Sequence, residues 1–296
     1  MLHLSHLAEL AAAHRECLEL STQGCEIGGV RLDCDRRPAL MGVVNLSPDS
    51  WYRESVCLST DAAVRRGLVL RAQGAQLVDV GAESTLAAAA RADAVEQNRR
   101  LLPVIRELAR AGVGVSVETY QPAVARACLE AGARVLNVTG VAEAPELFRL
   151  AAAHDAAVIL CHVRGANVRE VTDLPRGADP VADLETFFRR QVARATEAGV
   201  NKLFLDPGLG FYYRNLPDGR ARVRHQMAVF LHTFRLRRLG FPICHALPHA
   251  FEFFGEEVRC AEPFFAVLAT LGGTGLLRTH EVARVKAVLD TLDCWE

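Results

Sequence analysis

None of the nine cysteines in this sequence stands in a Cys-x-x-Cys pair, so neither a zinc cluster nor a thioredoxin-like redox pair is indicated. An odd count of thiols suits a reducing cytoplasm better than a disulfide framework. Cys161 and Cys244 lie inside apolar runs, where cysteine packs as a small hydrophobe. Charge of one sign is missing too: 34 Lys and Arg against 35 Asp and Glu leave a formal net charge of −1. That balance excludes a global attraction to nucleic acid or to an anionic membrane. No apolar run reaches membrane-spanning length. The opening stretch, MLHLSHLAELAAAHRECLEL, has apolar residues at helical spacing but is interrupted by His, Glu and Arg. It predicts an amphipathic helix rather than a signal peptide. A glycine-rich phosphate turn after the first strand, expected of an open doubly wound sheet, is also lacking.

What is present is a regular alternation. From residue 39 onward, short apolar runs (ALMGVVN, AQLVDVG, GVGVSVE, ARVLNV, AAVILCH, NKLFLD, FPICHA, TGLLR) are separated by amphipathic stretches, among them 62–73, 94–110, 122–130, 184–197 and 223–239. About eight strand–helix pairs is the number that closes a (β/α)8 TIM barrel, an α/β fold. Repeated Ala-Gly junctions at Gly112, Gly132 and Gly199 fit a glycine ending a helix before the next strand. The expected organisation is an N-terminal helical and hairpin extension over 1–38, with CEIGGVRLDCDRRP covering one barrel end, followed by the barrel over 39–296.

In such a barrel the carboxyl ends of the strands form one rim around a common cavity. Here the strand ends deliver Asn45, Asp79, Glu118 with Thr119, Asn137, His162 with Arg164, Asp206, His245, and Arg278 with His280. Glu118, Asn137 and Asp206 offer carboxylate and amide groups that suit a flat heterocycle bearing N–H donors and a carbonyl. Arg278 and His280 are two apart, hence on the same side of an extended chain, where they would clamp an oxyanion such as phosphate. Asn45 supplies a hard oxygen that would join phosphate and water around Mg²⁺.

MGVVNLSPDSW, VDVGAEST, SVETYQPAVARACLEAGARVLN, HVRG, LDPGLGF and RTHEV occur in that order, and together they resemble dihydropteroate synthase over about residues 39–291. The resemblance implies condensation of a hydroxymethyl-dihydropterin diphosphate with p-aminobenzoate, releasing pyrophosphate, as a step in folate biosynthesis. It implies Glu118, Asn137 and Asp206 as pterin readers, with Phe211 stacking near the ring. Arg278 and His280 become the diphosphate clamp, Asn45 lies at the magnesium end, and Thr85 is a hydroxyl near the p-aminobenzoate side. A homodimer built on late barrel helices, around AEPFFAVLATLG, is expected as well. On this view Asp206→Ala abolishes pterin binding, whereas Arg278→Ala weakens only diphosphate-bearing ligands.

The sequence departs from the family pattern in three places. Thr85-Leu86-Ala87-Ala88 stands where the family has Thr-Arg-Pro-Gly, and Glu118 stands where it has an aspartate. CHALPHAFEFF replaces a run containing Ser-Arg-Lys, putting Ala250 at or beside the lysine position with His249 as the nearest substitute. Arg53 and Arg214 are further candidates to compensate for the missing charge. The alternatives that follow are a pterin-binding paralogue with impaired catalysis and a methyltetrahydrofolate-type methyltransferase. The second would have no need of the Arg278-x-His280 clamp.

Overall fold

Gly28 and Gly29, both at positive φ, turn the chain between β1 (Cys25–Ile27) and β2 (Val30–Leu32), a two-residue antiparallel hairpin. Ahead of it lies α1 (Leu4–Ala13), which buries none of its residues. The hairpin turns Ile27 and Leu32 inward, and with Cys34 they pack against Ala39, Met41, Leu77 and Leu276. It thus plugs the amino-terminal end of the structure that follows. The computed structural model describes residues 1–50, 52–84, 89–173, 179–210 and 218–295.

The eight apolar runs become eight parallel strands: β3 (Ala39–Asn45), β4 (Leu77–Gly81), β5 (Gly114–Thr119), β6 (Val135–Val138), β7 (Ala157–Cys161), β8 (Leu203–Asp206), β9 (Cys244–Ala246) and β10 (Leu276–Thr279). Each pairs with its sequence neighbour from β3 to β8, and β10 pairs with both β9 and β3. The remaining gap closes where the Leu205 N–H donates to the Pro242 carbonyl at 3.0 Å, beside a parallel bridge from Leu205 to Ile243. The result is a (β/α)8 barrel, as the alternation predicts.

Around it run α2 (Thr60–Ala72), α3 (Ala94–Arg110), α4 (Pro122–Glu130), α5 (Ala144–Ala153), α6 (Ala182–Glu197), α7 (Gly219–His232), the short α8 (Phe251–Phe254), α9 (Ala261–Leu271) and α10 (Val282–Leu292). Ser59, Asp93 and Asp218 cap the first turns of α2, α3 and α7 by accepting from Ala62, Glu96 and Ala221 N–H groups. Gly112, Gly132 and Gly199 carry positive φ just past their helices, as the Ala-Gly junctions predict. No helix among the described residues is long and apolar enough to cross a membrane.

Two apolar layers result from the period-two alternation of strands. Leu40, Val44, Val78, Val80, Val115, Val117, Leu136, Val158, Leu160 and Leu205 face the helices, while Met41, Leu77, Val135, Ile159 and Phe204 fill the barrel. The same alternation decides the site. One step beyond the inward apolar residues, the next inward positions are polar.

Candidate active site

The inward positions at the carboxyl end are Asn45, Asp79, Ser116, Glu118, Asn137, Cys161, Asp206 and Arg278, and all of these but Asp79 and Ser116 line one cavity with His280. Pairing register places Asn45, Gly81, Glu118 and Asn137 side by side across four strands. All are rigid strand positions, so their spacing is set by the backbone ladder rather than by loops.

Hydrogen bonds join them. Asp79, fully buried, accepts from the Ser116 hydroxyl at 2.6 Å, from Asn137 Nδ2 at 3.1 Å and from Arg278 Nε at 2.7 Å. Arg278 Nη2 donates to Glu118 Oε2 at 2.7 Å. The Cys161 thiol donates to Asn137 Oδ1 at 3.1 Å and approaches Asp206 Oδ2 at 3.8 Å. Asp206 is steadied on its other oxygen by the Gly208 N–H at 2.8 Å. One guanidinium, Arg278, therefore bridges the Asp79 and Glu118 carboxyls, and the Asp206 carboxyl lines the same cavity.

Burial has the expected electrostatic result. Desolvation pushes Glu118 up to about 7 against the pull of Arg278, with the Asp79 charge adding to the rise. Asp206 is pushed up to about 6 by burial, partly offset by the Gly208 N–H. The Cys161 thiol is pushed well above its ordinary value by burial and by Asp206, so it is a neutral donor and no nucleophile.

A second cluster lies at the edge of the same cavity. His280 Nδ1 is 2.7 Å from Glu262 Oε1, and His249 Nε2 is 3.2 Å from the same oxygen. The Tyr52 ring lies against both imidazoles, at centroid distances of 4.9 Å from His249 and 4.5 Å from His280. Glu262 Oε2 accepts from the Thr279 hydroxyl and from the His280 and Glu281 N–H groups, the last two at 2.9 and 3.2 Å. Burial works against the charge on Glu262, but the imidazole of His280 and the hydrogen bonds outweigh it and hold the carboxyl well below the usual range. Burial lowers His280.

Of the residues singled out in the sequence, Asn45, Glu118, Asn137, Asp206, His249, Arg278 and His280 all line this cavity. Asn45 Nδ2 donates to Ser55 Oγ at 2.6 Å, which leaves its carbonyl oxygen as the group offered to the cavity. Thr85 and Phe211, with Arg214, lie outside the described residues. Arg53 donates to the Pro48 carbonyl and is an exposed contact of its own loop. His162 and His245 are strand-end residues of the opposite parity. His245 meets Thr233 and Phe230, His162 packs on Phe187, and burial depresses both imidazoles, to about 3 and about 4.

Sequence reasoning names Asp79 without a role and passes over Ser116, Tyr52 and Glu262. Parity of the strand would have found Asp79 and Ser116. Glu262 carries a different signal: a lone carboxylate in the apolar run AEPFFAVLATLGG. Arg169 is also missed; it is buried and donates to the Ser84 and Ala89 carbonyls at 2.6 Å each, pinning both ends of the loop after β4.

This geometry has counterparts among known proteins. Residues 41–247 match the family model described as pterin binding enzyme. The dihydropteroate synthase of Mycobacterium leprae is 33% identical over 86% of this chain and 93% of its own, and that of Escherichia coli K12 is 31% identical over 86% and 90%. The Xanthomonas albilineans dihydropteroate synthase with 4-aminobenzoic acid superposes with a TM-score of 0.77 at 30% identity, covering 93% of this chain and 98% of that one. The chain, whose inward strand ends surround one polar cavity, belongs to the dihydropteroate synthase family of pterin-binding enzymes.

Proposed function

We propose that the cavity condenses a 6-hydroxymethyl-dihydropterin diphosphate with p-aminobenzoate or a related aryl amine, a transferase reaction of folate biosynthesis. The observation that carries this is the inward layer of Glu118, Asn137, Asp206 and Arg278 on four strands of one barrel around one cavity, with His280 two residues beyond Arg278. Asp206 and Glu118 accept ring N–H donors, and Asn137 presents an amide able to meet donor and acceptor edges. Arg278 donates to Glu118 and stands two residues before His280, and both line the cavity. There it places positive charge near the bond from the pterin methylene carbon to the diphosphate oxygen, whose electron pair leaves with pyrophosphate. The aryl amine nitrogen bonds to that carbon and then loses a proton. An aniline nitrogen is already a competent nucleophile, so no activated side chain is required.

Asn45 fits Mg²⁺ as a single hard-oxygen ligand, since its nitrogen is committed to Ser55 and its oxygen is not. Such an ion would neutralise diphosphate charge; Asn45, Arg278 and His280 orient that end of the substrate. All nine cysteines are unpaired thiols, which supports a reducing cytoplasm as the working compartment. The exposed aromatic and aliphatic residues of α8 and α9 support a homodimer.

Incubation with the pterin diphosphate, p-aminobenzoate and Mg²⁺ is expected to release pyrophosphate in step with formation of the aryl-amine adduct. A protein that binds the pterin diphosphate yet releases no pyrophosphate would instead be the paralogue impaired in catalysis. Loss of the family's loop arginine and of its lysine, with Ala250 at or beside the lysine position, is the feature that would account for it.

A further inference from the structure

Three ligand-type side chains converge at the edge of the cavity from separate elements: His249 after β9, Glu262 in the first turn of α9, and His280 after β10. Their nearest ligand atoms all lie within 4.8 Å of one another. We infer that His249, Glu262 and His280 form a site for one divalent transition-metal ion, distinct from the hard-oxygen position at Asn45. Two imidazole nitrogens and one carboxylate oxygen are a donor set for Zn²⁺, Co²⁺ or Fe²⁺ and a poor one for Mg²⁺.

The cluster is built like a metal site in its surroundings as well. Ligand atoms about 2.0–2.1 Å from a tetrahedral ion stand about 3.3 Å apart, close to the 3.2 Å between His249 Nε2 and Glu262 Oε1. His280 Nδ1, at 2.7 Å from that oxygen, would have to withdraw by a fraction of an ångström. His249 Nε2 is buried and near enough for an ion pair, yet it lacks the alignment of a hydrogen bond. Glu262, fully buried, has its second oxygen locked by Thr279 and two backbone N–H groups, the kind of outer support that orients a metal-binding carboxylate. Tyr52 stacks on His249 and lies tilted against His280, which restrains both rings, and its hydroxyl is itself held by Glu281 at 2.5 Å. Both histidines line the cavity, so a ligand held there would reach an ion bound between them. In a part resting on the function proposed above, the ion would meet diphosphate oxygens where this chain has Ala250 rather than a cationic side chain.

Co²⁺ alone is the probe. The 296-residue protein is stripped with a chelator, desalted and titrated with Co²⁺, with no pterin present. One Co²⁺ per chain is expected, with visible d–d absorption of a low-coordinate nitrogen and oxygen site, displaced by Zn²⁺ and not by millimolar Mg²⁺. His249→Gln, on a loop, is expected to weaken binding at least tenfold with an unchanged circular dichroism spectrum. Glu262→Gln keeps the side chain's shape and is expected to do the same. Absence of saturable Co²⁺ binding, or a His249→Gln protein that binds as the parent does, overturns the site. Because no pterin is used, failure here leaves the condensation reading standing, and failure of pyrophosphate release leaves the metal site standing.

Discussion

Arg278 holds Asp79 and Glu118 at once, each at 2.7 Å, and this changes what its removal should do. The sequence expectation confines Arg278→Ala to ligands that carry a diphosphate. With the guanidinium gone, two buried carboxyls lose their charge partner, and one at least takes up a proton or turns away. Affinity for a pterin without diphosphate is therefore expected to fall as well, by roughly tenfold or more, with a larger loss for the diphosphate ligand. Binding measured for both ligands by calorimetry checks this, and an unchanged affinity for the bare pterin would refute it. Asp206 gives the pH prediction. Burial raises its folded value to about 6 from an ordinary 3.8. The folded chain then holds this proton more tightly than the unfolded chain. Its contribution to stability is complete below about pH 4 and drains away as pH rises through 6. Asp206→Asn removes that slope. The variant is expected to gain stability relative to the parent by roughly 1–3 kcal/mol between pH 4 and 7, while losing pterin binding. Urea unfolding across that range reads the first effect, and a parallel pH profile for both proteins would contradict it.

At the scale of elements, close backbone approach matters more than propensity. A Cβ on Gly272, at the end of α9, would meet the Phe230 carbonyl oxygen of α7 at 1.8 Å, although its φ of −81° suits any residue. Gly240 is the reverse: φ is +82° and nothing lies within 4 Å. Gly272→Ala forces α9 away from α7 and is expected to cost about 2–4 kcal/mol, whereas Gly240→Ala pays only left-handed strain of about 1 kcal/mol. Chemical denaturation of the two variants distinguishes the causes, and equal losses would refute the packing argument. The strands and most helices were legible because buried parallel strands read as unbroken apolar runs and their helices as amphipathic ones. Helix α3 begins at Ala94 and ends at Arg110, as its pattern indicates, since Asp93 caps one end and Gly112 follows the other. Parity within a strand was harder to see. His162 and Cys161 are equal as letters, yet only Cys161 faces the cavity, and the facing is decided by which residue the neighbouring strand places opposite it. Glu262 stood out only as a lone carboxylate in an apolar run; its role was hidden because its partners His249 and His280 are distant in sequence and meet it only once the barrel closes.

For the whole molecule, the barrel's ends and sides have different jobs. The hairpin seals the amino-terminal end with Ile27 and Leu32, the carboxyl end opens into the polar cavity, and the helices form the outer layer. Most helix exteriors are charged, with Arg and Glu at three- and four-residue spacing on α3, at Glu96, Arg99 and Arg100. The α8–α9 face is unlike them. Phe253, Phe264 and Leu271 are 53, 42 and 58% exposed, and the last two are seven residues apart on one stripe of α9. Exposed large apolar groups gathered on one side mark an association surface more often than scattered single residues do. A second copy meeting this stripe across a two-fold axis would bury it in a self-complementary contact. The protein is accordingly expected to sediment as a dimer at micromolar concentration. The pair Phe264→Glu and Leu271→Glu, which sets like charges opposite one another across that axis, is expected to give a folded monomer. Sedimentation velocity of both forms decides the matter. A monomeric parent, or a variant that still dimerises, would assign the contact to another face.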